Sequence, residues 1–192
     1  MDSCSHSHTL SIRRVQRTCA LLLASLAGSS GAAPAVSATS QDSLAAFFSD
    51  ALHCRTSFPD GRDEALAQRL RAQGVTMVDR APGELLDLLY LFATPLDIDG
   101  TLVSSVTVRG GSGSIVAARA SGSLQALAKR TQAQPLAHSR WNSEGFGELQ
   151  AQYTRAMPLR HGLDETPPRL VMGRATGDAP GTLRWGCRSY DG

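Results

Sequence analysis

The sequence has few aromatic residues (5%), a single lysine, Lys129, among its 19 basic residues, and only four cysteines in 192 residues. It has no long apolar run and almost no excess of charge, with 19 Lys plus Arg facing 17 Asp plus Glu. Each shortage excludes a class. Near-neutrality excludes a polybasic nucleic-acid binder and electrostatic capture by anionic lipid. No stretch reaches the ~20 apolar residues of a membrane-spanning helix. No Cys-x-x-Cys pair is available for redox exchange or a zinc site. The glycines lack the spacing of a dinucleotide fingerprint, and no Gly-Lys-Ser/Thr follows to make a phosphate loop. The lysine shortage reads as the base composition of a GC-rich bacterial genome rather than as function. What remains is 42% apolar, enough to bury a core, with 18 Gly and 9 Pro favouring many turns over a helical bundle.

The amino terminus carries an address. Arg13, Arg14 and Arg17 precede the short apolar run from Cys19 to Ala27, and a Gly/Ser/Ala stretch follows, ending Ala35-Val36-Ser37-Ala38. This is the order of a secretory signal peptide, predicting 1–38 as signal and 39–192 as one exported domain. Cleavage is expected after Ala38, with Ala35 as the second choice; an organelle transit peptide, a disordered tail or a buried helix is the alternative. Ser11-Ile12-Arg13-Arg14 is a poor twin-arginine match, and no lipoprotein box surrounds Cys19. Cleavage also removes Asp2 and leaves a formally neutral chain with no stable membrane anchor. The expected location is periplasmic or secreted.

Cys4 and Cys19 leave with the signal, so Cys54 and Cys187 remain to form one disulfide in an oxidising compartment. Closing a loop of roughly 130 residues removes about 5 kcal/mol of unfolded-chain entropy.

Leu44, Phe47, Phe48, Ala51 and Leu52 make an amphipathic helical stripe, with Asp42 or Ser43 as cap. Pro59 and Asp60 open a second helix, with Asp63 three residues beyond the cap and Leu66, Ala67 and Leu70 on its apolar face, stopped at Gly74. From Val75 the period changes to two, before a turn at Ala81-Pro82-Gly83. The stretch 84–92 fits either a buried strand or a helix, the flanking breakers and its length favouring the strand. Leu102 to Val108 and Ile115 to Arg119 read as a hairpin about a Gly/Ser loop. Ser121 or Ser123 caps a helix bearing Leu124, Leu127 and Ala128, and a further helix is predicted from about Ser143 to Met157. Arg169 to Arg174 and Thr182 to Tyr190 close the chain as paired strands. The pattern is α+β: a mainly antiparallel sheet packed by two N-terminal helices and a later helical segment, closed by one disulfide.

The segment Leu96-Asp97-Ile98-Asp99-Gly100-Thr101 resembles the first motif of haloacid-dehalogenase-type phosphatases, Asp-x-Asp-Gly-Thr after a hydrophobic strand. The resemblance implies Asp97 as nucleophile on phosphorus, Asp99 as general acid and base, and magnesium to offset the charge, with Ser121, Lys129 and Asp178 for the later motifs. It covers about eight residues. A second motif on a parallel neighbour requires a crossover of a dozen or more residues, whereas a strand and a Gly/Ser loop follow Thr101. The competing reading is a polar turn into a strand, and it is the one favoured here.

Gly110-Gly111-Ser112-Gly113-Ser114 lacks the last glycine of a Gly-x-Ser-x-Gly elbow. His53, His138 and His161 have no metal-ligand spacing and read as surface or hydrogen-bonded structural residues, and His53 beside Cys54 makes a nucleophile pair only with a free thiol. Glu144 and Glu148, four apart, would share one helix face, which more often means solvated charge than a cation site. Trp141 and Trp185 with Arg140, Arg184 and Arg188 are the best partner-binding candidates, since Trp and Arg dominate binding hot spots. The function expected is therefore a non-enzymatic, exported protein-binding factor such as an inhibitor, an immunity-like factor or an accessory subunit. Its partner would be an envelope or secreted protein, with no cofactor, no metal and no nucleic acid. A magnesium-dependent phosphate-ester hydrolase using Asp97 and Asp99, or a small-ligand carrier, is the alternative.

Overall fold

A computed structural model describes residues 38–111, 113–160, 162, 164 and 166–190. The expected signal segment lies outside these residues except for Ala38, and His161 and Ser112 lie outside them too. Helix α1 (Ala38–Leu52) buries Leu44, Phe48, Ala51 and Leu52 on one stripe, as their spacing requires. Two residues past its end, Cys54 adopts a left-handed backbone conformation with φ 58°. Helix α2 (Glu64–Ala72) is capped by Asp63, whose carboxylate accepts from Leu66 N at 3.1 Å. Asp60, the expected cap, instead accepts from Arg62 N at 3.0 Å and shapes the turn before the helix. Gly74 follows at φ 81°, the left-handed conformation that ends a helix cheaply only at glycine.

Eight strands form one sheet in the order β1-β2-β3-β4-β8-β7-β6-β5. They are β1 (Val75–Asp79), β2 (Asp87–Ile98), β3 (Thr101–Arg109), β4 (Gly113–Ser121), β5 (Gln134–Pro135), β6 (Leu149–Ala156), β7 (Arg169–Ala175) and β8 (Thr182–Tyr190). Every described pairing is antiparallel. Helix α3 (Leu124–Thr131) follows β4, with Ser123 Oγ accepting from Ala126 N, and a short helix α4 (Trp141–Glu144) precedes β6. The ambiguous stretch 84–92 is strand from Asp87 onward, and β2 continues through Pro95 at the price of a register shift between Leu91 and Leu96.

The expected helix over 143–157 is a correction. Gly145 and Gly147 end helical structure at α4, and Leu149 and Ala151 alternate inward along β6 against β7. Glu144 and Glu148 are therefore not on one helix face.

Strand pairing sorts the sheet residues onto two faces, because directly opposed residues share a side. On one face Leu88, Val108, Val116, Cys187 and Leu170 make one row, and Tyr90, Val106, Ala118, Trp185 and Met172 the next. The side chains of α1, α2 and α3 pack on these rows. Phe48 sits edge-on to Tyr90 and Phe92 at 5.4 and 4.9 Å. Tyr90 donates to Pro59 O at 2.9 Å, and burial pushes its phenol up to about 12. Cys54 and Cys187 form the expected disulfide, tying the end of α1 to β8 across 133 residues. No helix among the described residues is long and apolar enough to cross a membrane.

Candidate functional site

Two constellations emerge, one at the end of α1 and one on the uncovered face of the sheet. At the first, His53 Nε2 lies 2.5 Å from Asp99 Oδ2. The His53 ring also meets Trp185 edge-on at 5.5 Å, and Arg130 donates to the Asp99 carbonyl. Asp99 and Gly100, at φ 51° and 66°, are the two central residues of the β2–β3 hairpin, and Ile98 pairs with Thr101 on either side of them. Both positive φ values fit the tight two-residue turn whose twist matches its strands. Asp97 Oδ1 accepts from Gly100 N at 2.9 Å, closing the turn from within.

The Asp-x-Asp-Gly-Thr segment is thus the polar turn. The neighbours of β2 run antiparallel to it, so no parallel strand brings a second motif alongside. Asp178, the distant candidate for the last motif, is occupied by Arg184. A thiol and a hydroxyl beside His53 and Asp99 in sequence are both engaged elsewhere. Cys54 is bridged to Cys187, and the Thr101 hydroxyl donates to Ile98 O. The His53–Asp99 pair instead clamps the end of α1 to the β2–β3 turn. Among the described residues no group of three or more His, Cys, Asp or Glu could hold a metal ion.

The hydrogen bond from His53 holds the Asp99 carboxyl below its usual range against the opposing effect of burial, helped by Arg130 and Arg55. Asp164, bound by Arg160, is lowered as well, again against burial. For both groups the folded value lies below the unfolded one, so the stabilisation is complete above the unfolded pKa and is lost as pH falls through the folded one. Urea midpoints are expected to fall below about pH 4, the unfolded carboxylate range. The drop should be smaller in Asp99→Asn, and a midpoint unchanged down to about pH 2 would contradict both assignments.

On the opposite face, Leu91, Ser105, Arg119 and Arg184 lie in one row across β2, β3, β4 and β8. Leu89, Thr107, Ala117 and Gly186 form the next, and Asp87, Arg109, Ile115 and Arg188 the third. The segment around α4 covers the β6–β8 side of this face, with Phe146 and Leu136 packed on Leu149, Ala151 and Val171. Arg188 fastens that segment by donating to Gly145 O at 2.7 Å and Ser143 O at 3.3 Å. The rest of the face is a trough of about 460 Å³, in the range of small-ligand pockets. Its β1–β2 side presents Arg80, Leu89 and Leu91, and its other side presents Phe146, Gly147 and Glu148. The floor is small, with Ser105, Thr107 and Ala117, the last directly opposite Gly186. A Cβ on Gly186 would come within 1.9 Å of Val116 O.

Of the partner-binding candidates, Arg184 lines the trough and Arg188 holds its wall, whereas Trp141 is half-buried and donates to Leu136 O at 3.0 Å. Trp185 is a correction. At 0% exposure it points to the helical side of the sheet and is core, one residue out of phase with Arg184 and therefore on the other face. Arg80, Arg109, Arg119 and Phe146 were missed, because residues distant in sequence become neighbours only through strand register; the period-two alternation of Thr107 and Arg109 with buried Val106 and Val108 was the available signal.

Most arginines of this face are already engaged. Arg184 forks onto Asp178 with both contacts at 2.9 Å. Burial raises the Asp178 carboxyl, and this arginine, with a longer-range attraction from Arg119, more than reverses the effect. Arg80 donates to Asp87, which also lies 3.4 Å from Arg109. No protein-family model matches the chain, and no curated protein or solved structure matches it either.

Proposed function

We propose that the protein is an exported, non-enzymatic binding module that holds an envelope or secreted protein on the open face of its sheet, as an inhibitor, immunity-like factor or accessory subunit. The observation that carries this reading is the trough itself. An eight-stranded sheet covered by three helices on one face leaves a concavity on the other in which Leu91 is 39% exposed beside an arginine-rich rim. Partially exposed aliphatic surface bordered by arginine is the composition of a recognition site. A buried disulfide supports export, since such bonds persist in oxidising compartments.

The test is affinity capture from the native envelope fraction, using the oxidised protein and its Leu91→Arg variant as paired baits. The expected result is a stoichiometric, salt-resistant protein retained by the first and lost from the second. Equal retention by both would remove the open face from the reading, and a bait that retains nothing would remove the reading itself.

A further inference from the structure

We propose that Arg119 and Ser105 form a carboxylate-binding pair in the trough, and that its occupant is an acidic, extended segment of the partner protein. The inference rests on the open face being the binding surface. Ser105 and Arg119 are directly opposed on β3 and β4, so their side chains rise next to each other from the floor. Arg119 is exposed, and among the described residues its guanidinium makes no hydrogen bond and no ion pair within 4 Å, unlike Arg80, Arg109 and Arg184 beside it. Ser105 is 8% exposed, and its hydroxyl has no hydrogen-bond partner among the described residues. The hydroxyl lines the open trough and is free to donate to whatever enters it.

The two groups supply a guanidinium fork and one O–H donor, and a carboxylate accepts from both. A hydroxyl or amide ligand gains nothing comparable from the fork. Of the four arginines that line the trough, Arg80 and Arg109 are paired with Asp87 and Arg184 with Asp178, which leaves the Arg119 guanidinium to meet an entering carboxylate. Leu91, next to Ser105 in the same row, and Phe146 across the trough provide apolar surface for a side chain adjoining the bound carboxylate. An acidic residue next to an aliphatic one, presented by an extended chain, fits both halves of the site. An isolated small anion uses only the polar half.

The probe is a short fluorescein-labelled peptide of alternating glutamate and leucine, followed by fluorescence anisotropy at near-physiological salt. The same peptide with glutamine replacing glutamate serves as comparison, and acetate and inorganic phosphate as competitors. The glutamate peptide is expected to bind saturably and the glutamine peptide at least about tenfold more weakly. Arg119→Gln should weaken binding about tenfold and Ser105→Ala about threefold, while Arg55→Gln, outside the trough, leaves it unchanged. Thermal melts of each variant establish that it is folded. Equal binding of the two peptides, or no loss in folded Arg119→Gln, would overturn the pair. Displacement by acetate or phosphate at the concentration effective for unlabelled peptide would overturn the peptide as occupant. Capture of a native partner that is lost with Leu91→Arg but kept with Arg119→Gln would leave the open face standing and remove the carboxylate pair.

Discussion

Replacing both bridged cysteines, Cys54→Ala with Cys187→Ala, is expected to cost about 5 kcal/mol of folding stability. The bond closes a loop spanning 133 residues, nearly the whole described chain, and a loop of that length in the unfolded chain loses about 5 kcal/mol of conformational entropy when it is tied. Nothing in the folded state compensates. Cys54 follows α1 and Cys187 lies in the middle of β8, so the bond fixes the helix where Leu44, Phe48 and Leu52 bury. Without it α1 is held by that apolar contact and by the His53–Asp99 clamp. Domains of this size have only about 5 to 15 kcal/mol in total, so the variant should be marginal at 25 °C. Urea titrations of the oxidised protein and the double variant, with comparable slopes, measure the difference. A loss under about 1 kcal/mol would mean that the unfolded chain is restrained by other means.

The disulfide was legible because cysteine arithmetic leaves two residues and one pairing. The first helix and the β3–β4 hairpin were legible for a different reason: Leu44, Phe48 and Leu52 recur at helical spacing, and Val106 and Val108 alternate around a loop rich in glycine. The failure at 143–157 has an identifiable cause. Phe146, Leu149 and Tyr153 fit a helical period, but Leu149, Ala151 and Tyr153 also alternate with Gln150, Gln152 and Thr154. Two flanking glycines and a paired β7 resolve the conflict toward strand, a tertiary decision that local spacing does not contain. The site was less legible than the fold. Arg184 stood out beside a tryptophan, yet Arg119 and Ser105 gained meaning only when register set them opposite each other. Adjacency in sequence also misled at Trp185, since neighbours on a strand face opposite ways.

Trp185 separates what its ring contributes from what its N–H contributes. It is fully buried in the row with Tyr90, Val106, Ala118 and Met172, and it meets His53 edge-on. Trp185→Ala empties that volume from the middle of the sheet's helical face and is expected to cost about 3 to 5 kcal/mol. Its indole Nε1, however, has no hydrogen-bond partner among the described residues, so the folded state already carries an unsatisfied buried donor. Trp185→Phe removes that donor along with part of the ring. The lost volume destabilises and the lost unsatisfied N–H stabilises, and both effects are of order 1 to 2 kcal/mol. The net change for Phe is expected within about 1 kcal/mol of zero. Urea unfolding of the two variants beside the native protein decides the matter, with Trp141 left as the fluorescence reporter in both. A cost for Phe approaching that for Ala would show that the N–H is satisfied in solution by a buried water, and the ring would then be valued for its polar end as much as for its bulk.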